Sequence, residues 1–408
     1  MMRASLSFEI NEQVFKLVSA KLQMPHAKFN DCLVKPVLAV NDEAISGMLG
    51  EAVRRNKIRT QRFSLCLSRN LATVRNLHLP SQNKNEVAQM IELNVSRIVP
   101  YKKEKIVFGY QLLGTDDMGY TKVILAILKD DVVERQMKIV EKSGLFIDRI
   151  ILSTYAVWQA VLQSQHSQIN QTDFYLILDV DYNFTDFIIF SASNVLFTRS
   201  INVGADNIYG KNEQELTKLL GEVRQSLIMF YNEEINKKPA LVFLSGSKVI
   251  NDWAESIGRE LDMPVKVVGS CLPDNCPIAQ EGDAGSKSSL TAVCELALRE
   301  NSQCLSFVLP QIEIRKSLRE NVRNLMIIGV SAVYIFMVIC FIFIGAIHHN
   351  QRYLNRLKET NKKVIGELGG VWSDFNKIDM AKEYLSRRRL PLIALTTLQR
   401  VTPSGISI

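Results

Sequence analysis

The chain has 408 residues, of which 47% are hydrophobic and 22% are charged. This composition excludes an intrinsically disordered chain and is sufficient for two or more packed lobes. The 49 basic and 42 acidic residues give a net charge of +7. Because the two signs are mixed along the chain, we expect no nucleic-acid partner.

Short runs rich in Val, Ile and Phe, bounded by turn residues, predict β-strands. These strands are Phe63–Leu67, Ile106–Leu113, Lys122–Leu128, Tyr175–Val180, Phe187–Phe190 and Ala240–Leu244. Amphipathic helices are predicted over Glu86–Val99, Asp130–Ser143 and Glu213–Tyr231, where apolar residues recur every three or four positions. This alternation predicts a layered α/β domain. The polar segment Gln163–Asp173 is the expected hinge between two lobes.

An apolar segment near the end of the chain predicts one transmembrane helix. Leu325–Ile347 contains 23 residues and no charged side chain. Such a helix spans roughly 34 Å, enough to cross a hydrocarbon core of about 30 Å. Met1–Ser19 carries charges throughout and lacks the apolar run of a signal peptide. We therefore expect a single-pass protein whose large N-terminal domain stays in the cytoplasm.

Charge alone gives no orientation, since Lys and Arg are balanced on the two sides of the span. Cysteine usage does favour one. Six of the seven cysteines precede the span and none follows it, as expected for a reducing cytosol on the N-terminal side. Cys271 and Cys276 are five positions apart, and ordinary thiols are the alternative to a metal or redox pair.

Three segments are candidate phosphate-binding turns, because successive backbone N–H groups in a turn can bind phosphate. The chemistry-bearing residues are Glu9 and Asn11 in the first, Asp179, Asp181 and Thr185 in the second, and Gly246 and Ser247 in the third.

These turns resemble those of the actin-like ATPase superfamily, and more narrowly PilM of type IV pilus machines and the cytoplasmic domain of GspL in type II secretion. Glu9-Ile10-Asn11 aligns with the family's first loop, Asp179-Val180-Asp181 with its second, and Gly246-Ser247 with its adenosine-side Gly-Gly. The run from Thr198 to Gly204 is a further family-like mark. The resemblance implies a two-lobed actin-like domain with ribonuclease H-like repeats over residues 1–300.

Departures from the family pattern bear on the nucleotide. Asn11 and Asp181 stand where the family has glycine, and each adds a side chain where a phosphate would approach. Asp181 also adds a negative charge that repels a polyphosphate. We therefore expect that the protein does not require ATP with Mg²⁺. The alternative is that Asp179, Thr185 and Gly246 are kept as turn-forming residues of an inherited fold.

The segment before the span, residues 301–324, resembles the Ile-Asn-Leu-Leu-Pro motif of PilN, the bitopic partner of PilM. In that family the motif docks as an extended peptide on the actin-like domain. Leu305, Phe307 and Leu309 have the alternate spacing that such docking uses, and Pro310 ends the run. The alternative is a linker whose apolar residues lie at the membrane surface.

Beyond the span, residues 348–379 follow a heptad pattern. Leu354, Asn361 and Leu368 occupy a positions, and Leu357 and Val364 occupy d positions. This seam predicts a coiled coil for homo- or hetero-dimerisation, with Asn361 setting the register. Gly369 and Gly370 are expected to weaken its second half. The alternative is an amphipathic helix that packs on its own tail.

The last segment, residues 380–408, contains Leu390–Ile408, which predicts a short helix, a Pro-Ser-Gly turn and the start of a strand. In PilN-like proteins a small ferredoxin-like α+β domain begins here. A lone strand is not stable by itself. The sheet would therefore be completed by further chain or by a partner.

The leading hypothesis is a PilM–PilN-like fusion that serves as a non-enzymatic inner-membrane platform subunit. Its partners would be a cytoplasmic assembly ATPase and a PilO- or GspM-like bitopic protein on the periplasmic side. The sequence has no Walker A motif and no convincing catalytic triad. One alternative is a membrane-anchored ATPase or kinase with Asp179 near the metal and Asp181 or Glu9 positioning water. The other is a bitopic sensor.

Overall fold

The computed structural model describes residues 3–23, 26–37, 41–55, 62–99, 105–209, 213–233, 237–269, 278–280, 284–299, 305–307 and 310–401. The chain divides into two compact units, Met1–Ser317 and Leu318–Ile408. The first unit contains the β-sheets and their helices. The second belongs to one long helix.

The elements follow in chain order. The strands are β1 (Arg3–Ile10), β2 (Val14–Gln23), β3 (His26–Pro36), β4 (Arg62–Leu67), β5 (Thr73–Leu79), β6 (Ile106–Thr115), β7 (Thr121–Lys129), β8 (Arg149–Leu152), β9 (Tyr175–Val180), β10 (Thr185–Phe190), β11 (Val195–Ile201), β12 (Leu241–Gly246), β13 (Val265–Val267), β14 (Ile278–Gln280) and β15 (Ser306–Phe307). The helices are α1 (Asp42–Arg55), α2 (Lys84–Ile98), α3 (Asp130–Lys142), α4 (Ser153–Ser164), α5 (Ala205–Ile208), α6 (Glu213–Glu233), α7 (Ala254–Leu261), α8 (Ala284–Lys287), α9 (Thr291–Leu298) and α10 (Pro310–Val401). Short 3-10 helices cover Arg69–Leu71, His166–Gln168 and Lys248–Trp253.

Two of the sheets repeat one topology. The first has the order β14-β3-β2-β1-β4-β8 and the second the order β11-β10-β9-β12-β13. In each, the first three consecutive strands are antiparallel, and the next two join parallel to the central strand. This repetition agrees with the predicted two-lobed architecture. The predicted hinge Gln163–Asp173 connects α4, after the first sheet, to β9 of the second.

A smaller antiparallel sheet, β15-β6-β7-β5, is packed with α2. Val87, Ile91 and Val95 recur every four residues and form the buried face of that helix. Asn83 begins the helix, because its side chain accepts a hydrogen bond from the backbone N–H of Asn85 at 2.9 Å.

The central strand of the second sheet is buried on both faces, which explains its unbroken apolar run. Tyr175 and Ile177 join the core that contains α4 and the first sheet, while Leu176 and Leu178 pack in a second core with α6 and α7. Alternation with a period of two divides the strand between the two cores. The predicted bounds of this strand are confirmed.

The other predicted elements also form, with small shifts of their ends. After β12, the 3-10 helix Lys248–Trp253 leads directly into α7, Ala254–Leu261. Cys271 and Cys276 lie outside the described residues.

The segment that resembles the PilN motif is partly described, and it forms an added strand. β15 pairs antiparallel with β6, with Ser306 opposite Tyr110 and Phe307 opposite Gly109. Leu305 and Phe307 are buried in the same core as the first sheet. The alternate spacing therefore places both apolar side chains on the covered face. Leu309 lies outside the described residues, and Pro310 begins α10.

The long helix α10 is continuous over 92 residues. It passes through Gly369 and Gly370, so the glycine pair does not interrupt the helix. Each glycine costs about 1 kcal/mol relative to alanine. The helix also passes through Pro391 and ends at Val401, whereas the predicted turn and strand lie outside the described residues.

By length and composition, α10 is the helix of the described chain that could cross a membrane, with a mean hydropathy of 2.9 in its most apolar window. The predicted span Leu325–Ile347 lies within it. The heptad side chains Leu354, Leu357, Val364 and Leu368 are about half exposed. Asn361 is exposed as well.

Replacing Phe243 by alanine is expected to destabilise the first unit by about 3–5 kcal/mol, because it leaves a cavity in a packed core. Its ring is fully buried and lies 5.8 Å from the Tyr175 ring and 6.2 Å from the Phe190 ring, between centroids. Pulse proteolysis of the full chain in detergent, over a urea series, measures the effect. Leu93→Ala on the exposed face of α2 is the control, and equal losses in the two variants would contradict the packing described.

Candidate functional site

The candidate phosphate turns meet at the carboxyl ends of β1, β9 and β12. β9 and β12 are parallel neighbours, with Ser245 opposite Asp179 and Gly246 opposite Val180. The turn after β1 joins them through the side chain of Lys16 in β2, which reaches from one sheet to the other. Residues distant in sequence therefore converge in one buried polar cluster.

Lys16 is the centre of this cluster. Its Nζ donates hydrogen bonds to Asp181 Oδ2 at 2.7 Å and to Glu9 Oε2 at 3.1 Å. All three side chains are 2–3% exposed. Burying the ammonium group of a lysine carries a desolvation cost, which paired carboxylates offset. The two carboxylates supply that charge and connect the two large sheets.

The second turn is held by hydroxyl groups and by backbone. Ser245 Oγ and Ser289 Oγ both donate to Asp179 Oδ1, at 2.7 and 2.9 Å. The backbone N–H of Ser289 donates to Asp181 Oδ1 at 2.8 Å. The hydrogen bonds that these carboxylate oxygens accept offset part of the cost of desolvating the buried carboxylates. These contacts tie the segment before α9 to the β9–β10 turn.

Burial is the largest influence on the pKa values of the Asp179 and Glu9 carboxyl groups. It raises the pKa of Asp179 to about 6, with a further rise from Asp181, against the opposing hydrogen bonds of Ser245 and Ser289. Burial also raises the pKa of Glu9, although Lys16 opposes the shift. For Lys16, burial lowers the pKa, but the carboxylates of Asp181 and Glu9 outweigh it and raise it. Lys16 therefore remains charged.

The glycines of the predicted site are required by close backbone approach. Gly246 has a φ of +123°, and a Cβ there would overlap the carbonyl group of Val180. A Cβ at Gly204 would overlap the backbone of Asn183 and Phe184. Both glycines thus bring chain segments together. Their presence needs no ligand.

The remaining predicted residues stabilise the turns. Asn11 Oδ1 accepts hydrogen bonds from the backbone N–H groups of Gln13 and Val14, at 2.9 and 2.7 Å. Thr185 Oγ1 donates to the Val203 carbonyl at 2.7 Å. The Oγ of Ser247 is buried and has no hydrogen-bond partner among the described residues.

One backbone donor in each of the three turns is already bound within the protein. The N–H of Asn11 donates to the Val14 carbonyl, that of Asp181 to Phe184, and that of Ser247 to Val180, all at 2.9–3.0 Å. A phosphate-binding turn needs such N–H groups pointing at the ligand.

Charge gives a second reason. The positive charge of Lys16 is already paired with Glu9 and Asp181, and Asp179 lies close by. A polyphosphate would therefore meet no net positive charge in this cluster. In the described part of the chain, no three or more His, Cys, Asp and Glu side chains are grouped to hold a metal ion. The charge of the cluster therefore fits a polyphosphate poorly.

A second polar contact continues the layer between the large sheets. Ser153 Oγ donates to Asp186 Oδ2 at 3.1 Å and accepts from the backbone N–H of Arg69 at 2.9 Å. The Arg69 guanidinium donates to the carbonyl and hydroxyl of Thr198 and to the carbonyl of Ala72. Burial raises the pKa of Asp186 and lowers that of Arg69 to about 10. The contact between the large sheets therefore contains two polar groups of side chains beside its apolar core.

Sequence reasoning missed Lys16, Arg69 and Ser289. Lys16 carries the one charge in the run Val14–Ala20. A charged residue inside an apolar strand is a signal that a buried counter-charge exists. The sequence offers no comparable signal for Ser289 or for Arg69, whose partners lie far along the chain.

Replacing Asp179 by asparagine is expected to stabilise the protein at pH 8 and to have little effect near pH 4. The pKa of Asp179 is about 6 when folded, against an ordinary value of 3.8. Between these values the folded state binds more protons than the unfolded state. The contribution of Asp179 to stability therefore falls as the pH rises from about 4 to about 6, by up to about 3 kcal/mol. Asparagine stays neutral and avoids this loss.

The measurement is the thermal midpoint of the full chain at several pH values, for the wild type and Asp179→Asn. Asp117→Asn, a change at an exposed carboxyl group, is the control. If Asp179→Asn proved less stable than the wild type at pH 8, the assignment of Asp179 as a destabilising buried charge would be wrong.

The chain resembles known proteins in sequence and in structure. Residues 30–215 match the family model of the type IV pilus assembly protein PilM. No curated protein matches the chain. The solved PilM–PilN type IV pilus biogenesis complex is similar at 14% identity, covering 72% of this chain and 97% of that chain, with a TM-score of 0.58.

Two other solved structures are more distant. The cytoplasmic domain of Epsl, an inner-membrane component of the type II secretion system of Vibrio cholerae, is 8% identical, with 74% and 97% of the two chains covered and a TM-score of 0.41. A Bacteroides thetaiotaomicron protein with an actin-like ATPase fold is 10% identical, with 73% and 96% covered and a TM-score of 0.40. The resemblance of this chain to the PilM family of type IV pilus assembly proteins is therefore confirmed.

Proposed function

We propose that the chain is an inner-membrane scaffold subunit of a type IV pilus or type II secretion assembly machine. Its first unit lies in the cytoplasm and binds the assembly ATPase. The apolar part of α10 crosses the membrane, and the rest of that helix pairs in the periplasm with a PilO- or GspM-like bitopic protein.

One observation carries this proposal. The segment that resembles the docking motif of PilN is a strand of the same chain, and it pairs with β6 of the PilM-like domain. Leu305 and Phe307 are buried there, and α10 begins at Pro310. The docking of two proteins is thereby replaced by a covalent connection. A covalent connection suits a subunit that transmits a state from the cytoplasm to the membrane helix.

The Lys16 cluster supports a scaffold over an enzyme. An enzyme of this fold needs an anion site with free donors, whereas here Lys16 is bound by Glu9 and Asp181. One N–H group in each of the three turns is also bound within the protein. The two large sheets are joined without a ligand. We infer that the domain keeps its actin-like form as a rigid binding surface.

The periplasmic pairing rests on the heptad. Leu354, Leu357, Val364 and Leu368 repeat along one face of a helix that is continuous through this region, and all four are exposed. Exposed leucines and valines at a and d positions gain stability by packing into a second helix. Pairing through this seam is the step that would connect the scaffold to its bitopic partner.

The proposal predicts that the purified full chain does not bind Mg-ATP at millimolar concentration. The physical reason is the excess of carboxylates around Lys16. Equilibrium dialysis with labelled ATP in detergent measures binding, and release of phosphate measures hydrolysis. Asp179→Ala is the control variant. Binding by the wild type that Asp179→Ala abolishes would instead favour the membrane-anchored ATPase.

The second prediction concerns topology and pairing. A phosphatase reporter that is active only in the periplasm should be active when fused after Val401 and inactive when fused before Arg3. Leu357→Asp should abolish co-purification of the bitopic partner, because it places a charge in the apolar seam.

The matched control for the seam is Asn355→Asp, which lies at a b position of the same heptad, outside the seam. Reporter activity at both ends, or equal co-purification with Leu357→Asp and Asn355→Asp, would contradict the proposal.

A further inference from the structure

A cavity of about 440 Å³ lies apart from the Lys16 cluster, where β5, β11 and the end of α6 meet. Its charged lining residues are Arg69, Arg75, Arg199 and Glu233. The lining thus contains three arginines against one glutamate. A volume of this size falls within the range of about 300–1,000 Å³ that small-molecule sites occupy.

The three arginines differ in what they already bind. Arg69 is buried and donates to Thr198 and to the Ala72 carbonyl. Arg199 donates to Glu222 at 2.9 Å and to Ser226 at 3.1 Å. Arg75 is exposed, and among the described residues its guanidinium makes one long contact, 3.4 Å, to the carbonyl of its neighbour Val74. Arg75 therefore keeps donors available for an anion.

The cavity does not favour the addition of a peptide strand to β11. β11 is an edge strand of its sheet. Along that edge, the Leu196 carbonyl accepts from Asn76 Nδ2 at 3.1 Å and the Thr198 carbonyl accepts from Arg69 at 2.9 Å. Because side chains already cap these carbonyl groups, an added peptide strand would find no acceptors there. Side chains must recognise the ligand.

We propose that this cavity binds a small organic anion, with its phosphate or carboxylate group on Arg75 and its apolar part against Val74, Phe197 and Met229. The guanidinium forms paired hydrogen bonds with such groups. Asn76 and Asn232 border the anion with amide groups. Glu233, which accepts from Asn76, lies at the same rim and sets an upper limit on the ligand's negative charge.

The cavity is lined by residues of the small sheet, the second large sheet and α6. Arg75 and Asn76 belong to the small sheet, Thr198 and Arg199 to the second large sheet, and Met229 to α6. A bound anion would therefore contact both sheets at once. The site shares no residue with the Lys16 cluster, so it does not depend on whether that cluster admits a nucleotide.

Phenyl phosphate is the probe, since it combines one phosphate with one apolar ring. The broadening of its phosphorus NMR signal by the full chain in maltoside detergent measures binding. We expect Arg75→Gln to weaken binding at least about tenfold, as the loss of a charge-assisted hydrogen bond would. Glu233→Gln should strengthen it about two- to threefold by removing a nearby negative charge. Arg259→Gln, at an exposed arginine of α7, should leave binding unchanged.

Three further probes separate the parts of the ligand. Benzoate should compete with phenyl phosphate through the shared anion chemistry, while inorganic phosphate and benzyl alcohol should each compete at least about tenfold more weakly, because each lacks one of the two features. Absence of broadening by the wild type at millimolar phenyl phosphate would overturn the proposal. Equal binding by the wild type and Arg75→Gln would overturn it as well.

Discussion

Lys16 lies between two carboxylates that come from different sheets, and the arrangement of the actin-like domain depends on this contact. Its ammonium group is buried, so it must be paired, and both Glu9 and Asp181 are within hydrogen-bond distance. Removing either side of a buried ion pair leaves an uncompensated charge that costs about 3–5 kcal/mol. The relative placement of β2 and the β9–β10 turn is thereby fixed by electrostatics as well as by apolar packing.

The turns around this ion pair are complete without a ligand. The N–H groups of Asn11 and Asp181 bind carbonyl groups of their own turns, and that of Ser247 binds the Val180 carbonyl of the neighbouring turn. Gly246 and Gly204 allow backbone to pack directly on backbone. Asp181 occupies a position where the family pattern has glycine, and its carboxylate binds Lys16 and the Ser289 N–H. A charged side chain at this position thus changes a candidate anion site into a contact between sheets.

The two polar regions of the domain differ in the sign of the charge that is in excess. In the Lys16 cluster the cation is bound on both sides and carboxylates are in excess. In the cavity between β5 and β11 arginines are in excess, and the Arg75 guanidinium keeps available donors. The covalent connection from β15 to α10 adds a route from this domain to the apolar helix.

Local patterns in the sequence determined most of the elements. The unbroken apolar run Tyr175–Val180 predicted a buried strand, the three- and four-residue spacing in Glu213–Tyr231 predicted α6, and the uncharged run Leu325–Ile347 predicted a membrane-length helix. The order of weak motifs also identified the fold. Tertiary structure alone decided the chemistry of the site, since Lys16 and Asp181 are 165 positions apart and no periodicity relates them. Local propensity acts over a few residues, whereas a buried charge selects its partner only after the sheets have packed.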